Sequence, residues 1–164
     1  MNGYAEVIQV VGAMVIFSII LLSTNRYMLS NTQQQVASEV EMLAVTLGQD
    51  LIEEALLRPF DSVTVDGHIP IQMPEEFAAP NFPHTTAGNR SDIASYEGYH
   101  GWEEVMDTNL GPYEISAEVH YVTEDDPATP TTIRTRHKRM VVTVTNPSLT
   151  NPVRVAYVRT YNHD

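Results

Sequence analysis

The sequence predicts an α+β protein, with one long N-terminal α-helix packed on a small antiparallel β-sheet domain. Three observations lead there. Val7 to Ser23 is almost wholly apolar and uncharged, and no proline interrupts the chain before Pro59. From Thr24 to Arg58 the pattern becomes amphipathic, with apolar residues three or four apart. The last third alternates apolar and polar residues, the period of a half-buried strand. The expected division is a helix over residues 1–58, hydrophobic over 1–25 and amphipathic over 26–58. A β domain follows over 59–164, with an irregular loop at about 68–112.

An unbroken helix of about 50 to 55 residues is roughly 80 Å long at 1.5 Å per residue. A domain built from the rest of a 164-residue chain cannot cover it. The front third therefore needs an outside cover: a bilayer, other copies of the same helix, or each in turn. The apolar run is about 17 residues, at the short end for crossing a bilayer. It contains Gln9 and follows Glu6. A secretory signal places basic residues before its apolar core and a small-residue cleavage site after it. Here no Lys or Arg precedes Arg26, and the core runs on into a helical pattern.

In the rear half, Val36, Val40, Leu43, Leu47, Leu51 and Ala55 form a stripe that Ala44, Ile52 and Leu56 widen. Gln34, Glu39, Glu41, Gln49, Asp50, Glu53 and Glu54 lie opposite. Gly48 is expected as a tolerated surface glycine; a bend or a close approach is the other reading. Pro59 ends the helix, because residue 58 is pushed out of helical conformation.

Phe60 to Gly67 suggests a short strand ending in a turn. Pro70, Pro74, Pro80, Pro83 and Pro112, with Gly88, Gly98 and Gly101, mark the irregular stretch. Within it Glu75–Phe77 and Trp102–Met106 are each expected to form one helical turn. Tyr96, Tyr99 and Trp102 are expected to pin the loop to the sheet. The strands are Tyr113–Val122, Arg136–Thr145 and Val153–Tyr161, separated by polar turns at 124–130 and 146–152, in a three- or four-stranded meander. Tyr113, Ile115, Ala117, Val119 and Tyr121 share one face of the first, and Met140, Val142 and Val144 one face of the second.

Composition narrows the function. There are 21 acidic and 9 basic residues, a formal net charge of −12. Nucleic acid needs a basic surface and is not expected as a partner. An anionic membrane surface is disfavoured on the same ground. The absence of cysteine excludes disulfides, thiolate metal sites and thiol catalysis.

No catalytic, metal or cofactor site is expected. His68, His84, His100, His120, His137 and His163 are scattered, without a ligand spacing. Glu124, Asp125 and Asp126, with Asp61 or Asp66, offer oxygen ligands for Ca²⁺, although an acidic turn is usually only solvated. Arg134, Arg136, Lys138 and Arg139 form the one basic cluster. It is expected either to meet the acidic helix face of an adjacent subunit or to pair with Glu114 and Glu118 across the sheet. Asn89-Arg90-Ser91 fits the glycosylation tripeptide. No Ser-His-Asp order or phosphate loop supports a hydrolase.

An early glutamate in an apolar N-terminal helix, an amphipathic continuation and then an antiparallel sheet together resemble the type IV pilin and pseudopilin superfamily. The stretch LGQDLIEEALLRPFDSV resembles the end of the family's long helix. YEISAEVHYVTEDD and HKRMVVTVTNPSLTNPVRVAYVRTY resemble its sheet strands. Gly3 precedes Tyr4-Ala5-Glu6, closer to the glutamate than in the family's leader pattern; loss of Met1 alone makes Glu6 the fifth residue, as the family has it.

The resemblance implies a structural subunit of a type IV pilus-like extracellular filament (a fimbrium). It would assemble as a helical homopolymer through Glu6, Val7, Val10, Val11, Val15, Ile16, Ile19, Ile20 and Leu22. Before assembly it would sit as a single-pass protein in the inner membrane and meet the pilus or secretion assembly machinery. The alternative is a minor pseudopilin or membrane-anchored accessory protein of a secretion or DNA-uptake machine. Two roles fit Glu6: pairing with the N-terminal amine of a neighbouring subunit, as the resemblance implies, or a solvated place in the first helical turn favoured by the helix dipole.

Overall fold

The computed structural model describes residues 3–65, 71–85 and 88–162. Its elements are one helix, α1 (Gly3–Leu56, 54 residues), and four strands: β1 (Trp102–Thr108), β2 (Gly111–Tyr121), β3 (His137–Thr145) and β4 (Val153–Thr160). The strands pair antiparallel in the order β1-β2-β3-β4. This is the α+β architecture that the periodicities predict. The chain divides into two units, Met1–Glu39 and Val40–Asp164.

In the first unit every described residue from Gly3 to Glu39 is exposed. In the second, the rear of α1 buries Val40, Ala44, Gly48, Leu51, Ile52 and Ala55, a stripe at spacings of three, four and one. Val36, expected on that stripe, is 46% exposed, so the buried face starts one turn later. Gly48 is not a surface glycine. A Cβ there would lie 2.9 Å from Val155 Cγ2 on β4 and 3.7 Å from Val144 Cγ2 on β3, so the missing side chain lets helix and sheet approach. The helix ends at Leu56. Leu57 and Arg58 donate instead to the carbonyls of Glu54 and Ala55, the tighter 3₁₀ pattern of a helix end before proline.

The inward face of the sheet is as the alternation predicts. Tyr113, Ile115, Ala117, Val119 and Tyr121 of β2 are buried beside Met140, Val142 and Val144 of β3. The register places Ile115 opposite Val144, Ala117 opposite Val142 and Val119 opposite Met140. Tyr113 crosses to the helix and donates its hydroxyl to the Val40 carbonyl at 3.2 Å. Burial of a side chain such as Leu51, fully enclosed, contributes about 1.5–3 kcal/mol.

Two local expectations fail. Phe60–Gly67 forms no strand over its described part. Ser62–Thr64 is a 3₁₀ turn whose capping residue, Asp61, accepts from Val63 N–H while Thr64 reaches back to Asp61 N–H. The alternating Val63 and Val65 mimic a strand, but the local cap chemistry wins. Trp102–Met106 is not a helical turn but most of β1, with Trp102 opposite Ala117 and Met106 opposite Tyr113. Its inward set includes Glu104, whose ion pair with Arg90 hides the apolar alternation. Pro74–Glu76 is the expected single turn, of 3₁₀ type. Tyr96, Tyr99 and Trp102 are fully buried, so the irregular stretch is packed by its own aromatic rings, as expected.

Candidate functional site

The nine residues expected to carry assembly all lie in the exposed front of α1. Val7, Val10, Val11, Val15, Ile16, Ile19, Ile20 and Leu22 are each more than half exposed. Tyr4, Ile8, Met14, Phe17 and Leu21 share that exposure, so the apolar surface runs round the whole helix. An amphipathic surface helix shows a stripe; one apolar on all sides is made for surroundings that are apolar on all sides. Helix α1 is long and apolar enough to cross a membrane.

Three hydroxyls in this segment find their acceptors within the helix. Ser18, Ser23 and Thr24 donate their hydroxyls to the carbonyls of Met14, Ile19 and Ile20, four residues back, at 2.8, 2.8 and 2.9 Å. The hydroxyl hydrogens are thus satisfied within the helix and cost little in a solvent without hydrogen bonds. Glu6 lies in the first turn of α1 and is exposed. Met1, on which the position of the mature amine turns, lies outside the described residues.

The basic cluster does not act as a unit. Arg136 and Arg139 donate to the backbone carbonyls of Gln72 and Ala128, each at 2.7 Å, and Arg134 to that of Glu75. None of the four pairs with Glu114 or Glu118. The register sets Glu114 opposite Thr145 and Glu118 opposite Val141. Lys138 points the other way, into the core, because it is in phase with Met140, Val142 and Val144.

There Lys138 meets two acids that no local pattern links to it. Its Nζ is 2.6 Å from Asp61 Oδ2, 2.9 Å from Glu97 Oε2 and 2.9 Å from the Phe60 carbonyl. The Lys138 and Asp61 side chains are fully buried and that of Glu97 nearly so. The rings of Phe60, Phe82 and Tyr121 surround the nitrogen at 4.5, 5.3 and 5.2 Å. Burial, with Asp61 and Glu97 alongside, pushes the Tyr121 hydroxyl far above its ordinary range and keeps it a donor.

Asp61 is therefore committed to the core and cannot join Glu124, Asp125 and Asp126 around a calcium ion. Those three are exposed, and Asp126 caps its own turn through Ala128 and Thr129 N–H. Asp66, the other expected ligand, lies outside the described residues, as do His68 and His163. Among the described residues no group of three or more His, Cys, Asp or Glu is placed to hold a metal ion.

Three histidines treated as scattered do meet. His84 and His120 lie either side of His100, with ring centroids 4.8 and 5.0 Å away. His100 Nδ1 accepts the Val119 N–H at 3.2 Å, which commits that nitrogen's lone pair. Burial, then His120 and His84, hold the His100 pKa below its ordinary value. Sequence spacing carries no sign of this cluster, since two separate irregular segments supply His84 and His100 and β2 supplies His120. Lys138 had a signal: its phase in β3.

No family model, curated protein or solved structure matches the chain. One long apolar N-terminal helix followed by a small antiparallel sheet is compatible with a pilin-like fold.

Proposed function

We propose that this chain is a structural subunit of a type IV pilus-like extracellular filament, anchored in the inner membrane before assembly and polymerising through the front of α1. One observation carries the reading: from Gly3 to Glu39 no described residue is buried, although Val7–Leu22 is almost entirely apolar. Covering a Val, Leu, Ile, Phe or Met side chain is worth about 1.5–3 kcal/mol, so a segment this apolar strongly favours lipid or sister helices over water. An interface in which one helix packs against a different patch of the next copy propagates rather than closes. The β domain supplies the outer surface, and its acidity suits solvent.

Expression in a piliated host, shearing and fractionation test this. Filaments made mainly of this chain in the sheared fraction are the expected result. Recovery only in detergent-extracted membrane defeats the polymer and favours the anchored accessory subunit. Glu6→Gln keeps the shape and removes the charge. If Glu6 pairs with a neighbouring amine, filament yield falls several-fold while membrane insertion persists; undiminished yield removes that role.

A further inference from the structure

The buried Lys138–Asp61–Glu97 cluster is independent of the assembly reading. Its chemistry starts from composition. The chain has eight arginines but one lysine, and that lysine is the fully buried cation. Arginine is the better partner for a buried ion pair, with five donors in a fixed fork. What lysine offers instead is an amine that, once it loses a proton, is a nucleophile. Two carboxylates face this single ammonium, a costly arrangement away from water.

We propose that Lys138 and Asp61 condense to an intramolecular amide, with Glu97 relaying the protons. The geometry supplies each part. Asp61 Cγ lies one C–O bond beyond the oxygen that Nζ already touches at 2.6 Å. Both groups are held by packing, which turns an unfavourable bimolecular encounter into a positioned one. Asp61 Oδ1 accepts from the backbone N–H groups of Val63 and Ala78, both at 3.1 Å, and the Ala78 N–H is shared with Oδ2 at 3.2 Å. These donors stand where negative charge appears when the carboxyl carbon is attacked. Asp61 Oδ2, the departing oxygen, has Tyr121 Oη at 3.3 Å. Glu97 Oε2 is 2.9 Å from Nζ, within reach for proton transfer, and Ser62 N–H holds its other oxygen.

The step balances without an added reagent. A proton passes from the Lys138 ammonium to Asp61 Oδ2, leaving a neutral amine and a neutral acid. The Nζ lone pair forms the bond to Cγ, and the C=O pair moves onto Oδ1 under the Val63 and Ala78 N–H groups. Glu97 takes a proton from Nζ and delivers it to the Oδ2 hydroxyl. The Cγ–Oδ2 bond breaks, water leaves, and the pair on Oδ1 restores the carbonyl. Glu97 returns to a carboxylate. One ammonium and one carboxylate become one amide and one water, so net charge is conserved and a buried ion pair is removed. The link would join positions 77 residues apart, so force reaching Asp61 from α1 would pass directly to β3.

Having one lysine makes the test sharp. The full-length protein is purified in detergent, denatured, treated with an amine-reactive label and digested. The amide predicts no label on Lys138, no cleavage after it when an unlabelled sample meets a lysine-specific protease, and, after digestion with an arginine-specific protease, a branched peptide joining the Asp61 and Lys138 segments. Its mass would be one water below the sum of its parts. Recovery of linear peptides with a labelled Lys138 overturns the proposal. Lys138→Arg is compared by intact mass, which cancels any processing of the N-terminus. The variant should exceed the wild type by the residue difference plus one water; the residue difference alone counts against the bond. Glu97→Gln should leave the peptides linear. A branched peptide in that variant overturns the relay role of Glu97, and if it does not fold, the wild-type digest still decides on the bond.

Discussion

Replacing Gly48 by alanine sets two physical effects of opposite sign against each other. On an exposed helix surface Gly→Ala stabilises by up to about 1 kcal/mol, because glycine loses more backbone freedom on folding. Here the new methyl would stand 2.9 Å from Val155 Cγ2 and 3.4 Å from Val155 Cβ. Val155 is β-branched and stiff about χ1, so it cannot turn aside freely. Relief must come from a shift of β4, an edge strand. Overpacking of this kind costs about 1–3 kcal/mol, so after the helix gain of about 1 kcal/mol the net expectation is a loss of up to about 2 kcal/mol. Urea unfolding of the full chain in detergent, followed by fluorescence of the single, buried Trp102, measures it. Gly48→Ala combined with Val155→Ala removes the clash, and the double variant should be more stable than the sum of the singles by about 1 kcal/mol or more. A stabilised Gly48→Ala, or a strictly additive pair, would refute the close approach as the reason for glycine.

Two further outcomes follow from the same structure. Ile19→Asp puts a charge in the middle of the apolar segment, at a cost of about 2.5–3.5 kcal/mol for entering lipid; flotation with vesicles should show reduced membrane association, while the urea midpoint of the β domain stays unchanged because Ile19 is exposed and belongs to the first unit, and unaltered flotation would contradict membrane insertion of this face. The His100 pKa is held below its ordinary 6.5, chiefly by burial and then by His120 and His84, with Glu118 opposing. The unfolded chain therefore binds a proton more readily than the folded one. The contribution of His100 to stability is complete above about pH 6.5 and is lost as pH falls through the lower folded value. His100→Asn should flatten the fall in urea midpoint between neutral and mildly acidic pH; equal slopes in both proteins would exclude His100 as its source.

The exposure of the apolar front of α1 was legible because a long apolar helix needs no tertiary information to be recognised as uncovered. Its residues are neighbours in sequence, and nothing else in the chain is large enough to cover them. The strands of the meander were legible for a related reason: the face of a residue in a strand depends on its parity, and β2 and β3 keep strict parity over Tyr113–Tyr121 and Met140–Val144. β1 was missed where parity failed, at Glu104, an inward acid made tolerable by Arg90 from a distant loop. Gly48 was misplaced because the helical pattern shows on which face a residue lies but not how close the opposing layer comes.

The sequence by itself determined the helix, its change from apolar to amphipathic, the sheet and its inward residues, because each rests on a period set by backbone geometry over adjacent positions. Only the tertiary structure decided which polar residues meet. Lys138 lies 77 residues from Asp61 and 41 from Glu97. They converge because a capped turn after the helix, a packed loop and an inward-facing strand position close on one dry point. No local period encodes that meeting, since apolar packing of distant segments brings the three together and each buried charge then requires a partner.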